Sequence, residues 1–186
     1  MWFYKARKDD NSMYYVVYFS RPLDWILGFF ALTAFIILLV SIEPYIPDFL
    51  KIGIFSLLDK DNVNGNVAIL NNSSSISPLI TIFICLFLVL FFPKAAYSEE
   101  KTFRHGIINF KDSIWSNIKF GLIHCIVGVP IWIGLCLSFM GFVLTLRYIY
   151  EYKKTNNYDL ALCASTSLHG KYNIIALTIF ILTLLN

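Results

Sequence analysis

Three short clusters of polar residues interrupt an otherwise apolar chain at spacings that suit proton transfer and charge stabilisation. The first holds Glu99, Glu100 and Arg104. Glu100 and Arg104 stand four apart and share one face of a helix, with the glutamate on the N-terminal side, the favourable order for an ion pair. Glu99 is turned from its neighbour by about 100°, at 3.6 residues per turn, and is left to serve a different partner. The second cluster is Phe120-Gly121-Leu122-Ile123-His124, where His124 sits in a charge-free stretch. A carboxylate and an imidazole that meet across a helix interface can activate one water between them, so Glu99 and His124 are the expected pair. In the third, His169 and Asn173 are four apart on one helical face, and both can donate hydrogen bonds to a developing oxyanion.

Each cluster has a plainer structural alternative. Glu99 and Glu100 read equally as a solvated helix end. His124 reads as a buried imidazole bonded to a carbonyl, and His169 with Asn173 as hydrogen-bonding glue between helices. Two of the three histidines fall at these spacings, and an ionisable group in an apolar segment is costly to keep, which favours the functional reading of the set. The remaining histidine, His105, has no apolar context and belongs on a wet helix face, outside the site.

The elements that must hold these residues are membrane helices. Of 186 residues, 58% are hydrophobic and 15% charged, and the charges are pushed between long apolar blocks, as in a chain whose solvent is lipid. The expected fold is all-α, a polytopic transmembrane helical bundle. Residues 1–24 form a cytoplasmic N-terminal segment whose scattered charges argue against a cleaved signal peptide. Residues 25–42 form the first transmembrane helix, 43–77 a polar connector rich in Asn, Ser and Gly, and 78–186 the helical core that carries all three clusters. Pro93 is positioned to kink the helix that enters this core. The charge-free run from Phe120 to Leu146 is long for one helix, and Gly128-Val129-Pro130 mark a turn within it, which gives a short helical hairpin. Gly121, Gly128, Gly134 and Gly141 suit close helix packing.

Basic residues fix the orientation. Lys5, Arg7, Lys8 and Arg21 precede the first helix, and Lys94, Lys101, Arg104, Lys111 and Lys119 end or follow the second, which sets both segments in the cytoplasm. The hairpin then returns Arg147, Lys153 and Lys154 to the same side, so the charges favour about five membrane helices over four. The formal charge of +3 is too small and dispersed for a nucleic-acid surface. Cys85, Cys125, Cys136 and Cys163 lie in apolar stretches without a CxxC pair and read as packing residues. No fixed-period repeat supports a duplicated transporter.

Taken together, SEEKTFRHG resembles the EExxxR motif, FGLIH the FxxxH motif and HGKYN the HxxxN motif of the CPBP family, in that order, over about Tyr97 to Leu177. That family comprises the type II CAAX prenyl endopeptidases and bacterial proteins linked to bacteriocin self-immunity. The resemblance implies a glutamic-type intramembrane endopeptidase in a bacterial cytoplasmic membrane, acting on a membrane-associated peptide or protein, a prenylated CAAX substrate among the possibilities. Glu99 and His124 would activate water, Glu100 and Arg104 would support them, and His169 and Asn173 would bind the oxyanion. The chain departs from the pattern where His105 separates Arg104 from Gly106, and where a single helix and a polar loop precede the first motif. The alternatives are a catalytically silent membrane binding or immunity protein of the same fold, and a zinc-dependent protease. Zinc is disfavoured and no cofactor is expected, because no HExxH is present, the ligands would come from three helices, and Asn173 suits an oxyanion better than a metal.

Overall fold

A computed structural model of the chain describes residues 16–19, 21–53 and 78–184. Regular structure among the described residues is helical, without a strand. Among the described residues, 16–18 are helical and five longer α-helices follow in order: α1 (Leu23–Ile42), α2 (Pro78–Phe103), α3 (Ile114–Ile123), α4 (Ile131–Thr155) and α5 (Tyr158–Leu184). Short 3-10 turns at Glu43–Tyr45, Asp48–Leu50, Lys111–Ser113 and His124–Val127 join or extend them. The segments Leu23–Tyr45 and Ile131–Thr155 are long and apolar enough to cross a membrane, with mean hydropathy 2.6 and 1.6.

Local chemistry sets the helix ends. Gly128 adopts φ 96°, a left-handed conformation that favours glycine, and Pro130 follows as the N-cap of α4, so the expected turn between α3 and α4 forms at Gly128-Val129-Pro130. The hairpin arms are unequal. α3 with its 3-10 extension is short, whereas α4 runs on past the apolar block and carries Arg147, Glu151, Lys153 and Lys154 within the helix. Asn156 ends α4 in the left-handed region at φ 49°, and the side-chain oxygen of Asn157 accepts the N–H groups of Asp159 and Leu160 at 2.9 and 3.1 Å. Two asparagines thus turn the chain tightly into α5. α2 is continuous through Pro93. Of the polar connector, residues 43–53 are described and 54–77 lie outside the described residues; Ile52 accepts the N–H of Ile131 at 3.4 Å.

α5 packs against α1, α2 and α4, and α3 packs against α4. A core of Leu32, Phe35, Trp132, Met140 and Tyr172 joins α1, α4 and α5, and a second one of Phe120, Leu144 and Leu168 joins α3, α4 and α5. Small residues bring α3 and α4 close: a Cβ added at Gly121 would collide with the carbonyl oxygen of Gly134 and with Ser138. Outward faces remain apolar. Phe29, Phe30, Ile37 and Val40 of α1 and Phe83, Phe87, Leu90 and Phe91 of α2 are all exposed.

Candidate active site

α2 and α5 bring the first and third clusters together. Glu100 is fully buried, and its Oε1 accepts hydrogen bonds from Arg104 Nη1 at 3.0 Å and from His169 Nδ1 at 2.8 Å. The first bond is the expected four-residue pair on one helix face. The second crosses 69 positions of sequence and gives the buried carboxylate a second donor. Arg104 is also fully buried, with Nη2 reaching the Gly141 carbonyl at 3.5 Å and its guanidinium carbon 4.0 Å from the centre of the Phe120 ring. A charge this deep persists because it meets a carboxylate, a carbonyl and a π-system. Ser165, one helical turn before His169, lies beside the Glu100 carboxylate.

Glu99 behaves differently from its neighbour. Its side chain is 33% exposed, yet Oε2 is buried and makes no hydrogen bond; His169 Nε2 faces it at 3.7 Å. His169 therefore stands between the two glutamates, with Nδ1 given to Glu100 and Nε2 directed towards Glu99. Glu100 Oε2, Arg104 Nε and Thr166 Oγ1 are buried without hydrogen bonds as well. Buried polar atoms left open in this way are uncommon, and several on one helix interface mark a place where water or a polar ligand belongs.

His124 lies at the C-terminal end of α3, where its Nδ1 donates to the Phe120 carbonyl at 2.8 Å. No hydrogen bond or ion pair joins His124 to Glu99, so the described residues pair Glu99 with His169 instead of with His124. The two histidines meet at Phe120, whose ring makes edge contacts with His124 at 5.2 Å and with His169 at 5.6 Å between centroids. Asn173 follows His169 by one helical turn and is half-buried, and its side chain makes no hydrogen bond among the described residues. His105 is exposed, with its ring 6.0 Å from that of Tyr158. Among the described residues, no group of three His, Cys, Asp or Glu side chains is arranged to hold a metal ion.

Chemically the set divides in two. Both histidines use Nδ1 inside the protein and present Nε2. A ring whose Nδ1–H goes to a carbonyl leaves Nε2 free of that bond, and this is the arrangement of His124. A ring whose Nδ1–H goes to a carboxylate is fixed in orientation by it, and this is the arrangement of His169 against Glu100.

A second ion cluster, which escaped the sequence reading, joins the start of α1 to α4, with Lys171 of α5 nearby. Arg21 forms a two-pronged pair with Glu151 at 2.9 and 3.1 Å, and Arg147 bridges Glu151 at 3.1 Å and Asp24 at 3.0 Å. Lys171 donates to Ser167 Oγ at 2.7 Å and to the Val16 carbonyl at 3.5 Å, and lies 5.6 Å from the Trp25 ring. In sequence Asp24 stands at the edge of the first apolar block. The available signal was the four-residue spacing of Arg147 and Glu151 at the end of an apolar run.

Comparison with protein-family models, with curated proteins and with solved structures gives no match for this chain.

Proposed function

We propose that the chain is a multi-pass membrane endopeptidase of glutamic type, similar in its motifs to the CPBP family, in which water activated at Glu99 attacks a peptide carbonyl. The observation that carries this reading is the contrast between adjacent glutamates. Glu100 is locked by Arg104 and His169, whereas Glu99 keeps one buried carboxylate oxygen without a hydrogen bond, 3.7 Å from an imidazole nitrogen. A carboxylate held this way, beside a partner that can move protons, suits general-base work.

In the proposed reaction the water gives its proton to the Glu99 carboxylate, with His124 Nε2 as the second acceptor on the α3 side. The new C–O bond leaves negative charge on the former carbonyl oxygen. His169, steadied by Glu100 on its far nitrogen, and the amide of Asn173 donate to that oxygen. The proton then passes to the departing amine as the C–N bond breaks, and the second product leaves as a carboxylate. No covalent acyl-enzyme forms. Metal-free chemistry is part of the proposal, and zinc is its competitor.

The membrane setting is supported by the exposed apolar faces of α1 and α2, which would meet lipid tails favourably and water unfavourably. With α3 as a short arm that enters and α4 as the arm that returns, the basic ends Arg21, Lys94–Lys119 and Arg147–Lys154 share the cytoplasmic side, as does the N-terminus. A bacterial cytoplasmic membrane and a membrane-associated peptide substrate, prenylated CAAX proteins included, complete the proposal.

Two observations favour a second reading, a silent binding or immunity protein of the same fold. Glu99 and His124 do not meet, and the buried Val17 side chain packs where Gly170, the neighbour of His169, leaves room for it. Purified protein in detergent should cleave a fluorogenic CAAX-type peptide or members of a mixed peptide library. Cleavage lost in both Glu99→Ala and His124→Ala, and unaffected by a chelator, is the expected result. Loss with chelator supports zinc. A folded wild type that cleaves nothing in any lipid favours the binding role.

A further inference from the structure

The three motif segments lie on three helices, and they converge on one side chain. Phe120 is 2% exposed, walled by Leu144, Leu168 and Phe103. Its ring carries the Arg104 guanidinium at 4.0 Å on one side and touches both histidine rings edge-on, at 5.2 Å with 72° between planes and at 5.6 Å with 78°. Its carbonyl accepts the Nδ1–H of His124 at 2.8 Å. The seat for the ring is made by Gly141: a Cβ there would lie 3.1 Å from Phe120 Cδ1, tighter than ordinary contact, and Gly141 also offers its carbonyl to Arg104.

A flexible aliphatic side chain in this place would fill similar volume but lose three oriented contacts. The ring face is negative and the edge positive, so it can hold a guanidinium over its face while it fixes the tilt of neighbouring rings. Arg104 in turn fixes Glu100, and Glu100 fixes His169. The two histidines thus owe their relative placement to the same aromatic ring, one by direct contact and backbone acceptance, the other by direct contact and through Arg104 and Glu100.

We infer that Phe120 is a positioning residue for the reaction, a planar spacer that sets the offset between the imidazole on the water-activating side, His124, and the imidazole on the oxyanion side, His169. This rests on the hydrolase reading above. Its substitution changes how the bound substrate reacts, and leaves how well the substrate binds.

The test compares Phe120→Leu and Phe120→Met with Phe120→Tyr in detergent-purified protein, with kcat and KM for a cleaved library peptide and the thermal midpoint recorded for each. Expected is a loss in kcat of roughly 100-fold for Leu and Met, the scale of a small misplacement of reacting groups, with KM unchanged within about twofold and at least half of the activity kept in Tyr. Combining Phe120→Leu with Arg104→Lys should cost clearly less than the product of the two single losses, because both act through one contact. Wild-type kcat in folded Phe120→Leu, or a loss that follows only the unfolded fraction, overturns the positioning role and leaves the hydrolase reading in place. A folded wild type that cleaves nothing removes that reading and this one together.

Discussion

Two ion clusters, one between α2 and α5 and one between α1 and α4, differ in how their hydrogen bonds are shared among their members. The one around Arg21, Asp24, Arg147 and Glu151 joins two cations and two carboxylates through four hydrogen bonds of 2.9 to 3.1 Å spread over both carboxylates, leaves Asp24 Oδ2 buried without a hydrogen bond, and ties the start of α1 to the end of α4. The one around Glu99, Glu100, Arg104 and His169 concentrates its bonds on a single oxygen, Glu100 Oε1, and leaves Glu99 Oε2, Glu100 Oε2 and Arg104 Nε buried and open. A network whose members mostly satisfy one another holds structure. One that leaves several polar atoms open retains the capacity to bind something polar, and this is the physical sense in which the second is a candidate active site.

The comparison breaks most sharply at Glu99. Glu99→Gln should lower kcat by about 10³-fold, within the range for removal of a general base, while the thermal midpoint stays put. An equal loss of activity and of stability would merge the two clusters into one structural device. On the other side, Arg147→Met strips one partner from two buried carboxylates and should destabilise the protein by about 3–5 kcal/mol, read from denaturation in detergent, with kcat of the folded fraction unchanged. If Arg147→Met removed activity with no loss of stability, the structural assignment of that cluster would fail.

Smaller effects sharpen the contrast. Asn173→Ala should reduce kcat by roughly 10²-fold, the scale of one lost oxyanion donor, and move stability by less than about 0.5 kcal/mol. Gly121→Ala should do the reverse, costing about 1–3 kcal/mol through overpacking against Gly134 and Ser138, with activity per folded molecule retained. Smallest of all, Tyr158→Phe removes an exposed hydroxyl contact to Tyr152 at 3.3 Å and should change neither quantity beyond about 0.5 kcal/mol.

Features governed by local rules were readable from residues alone. The Glu100–Arg104 pair follows from a spacing of four on a helix, and the turn at Gly128-Val129-Pro130 from a left-handed glycine before a proline. The first helix, expected over 25–42, runs Leu23–Ile42. Pairing across helices was not readable in the same way. Which imidazole meets which glutamate depends on the rotation of α2 against α5, and a shift of one position along a helix turns a side chain by about 100°. Glu99 therefore faces His169, and Asp24, which reads as the polar flank of α1, is buried against Arg147. The role of the Phe120 ring was equally hidden, since the sequence places it one turn from His124 but says nothing of Arg104 above it.

The pairing of Asp24 with Arg147 also has a consequence in time. The two residues are 123 positions apart, and at ribosomal rates of about 5–20 residues per second the aspartate emerges roughly 6–25 s before its partner exists. Throughout that interval the nascent α1 carries an acid with no counter-charge from α4, so its final seat is taken only after Arg147 has been made. A ribosome stalled before Arg147 should therefore yield an α1 that proteases reach easily, and one stalled well after it an α1 that they do not.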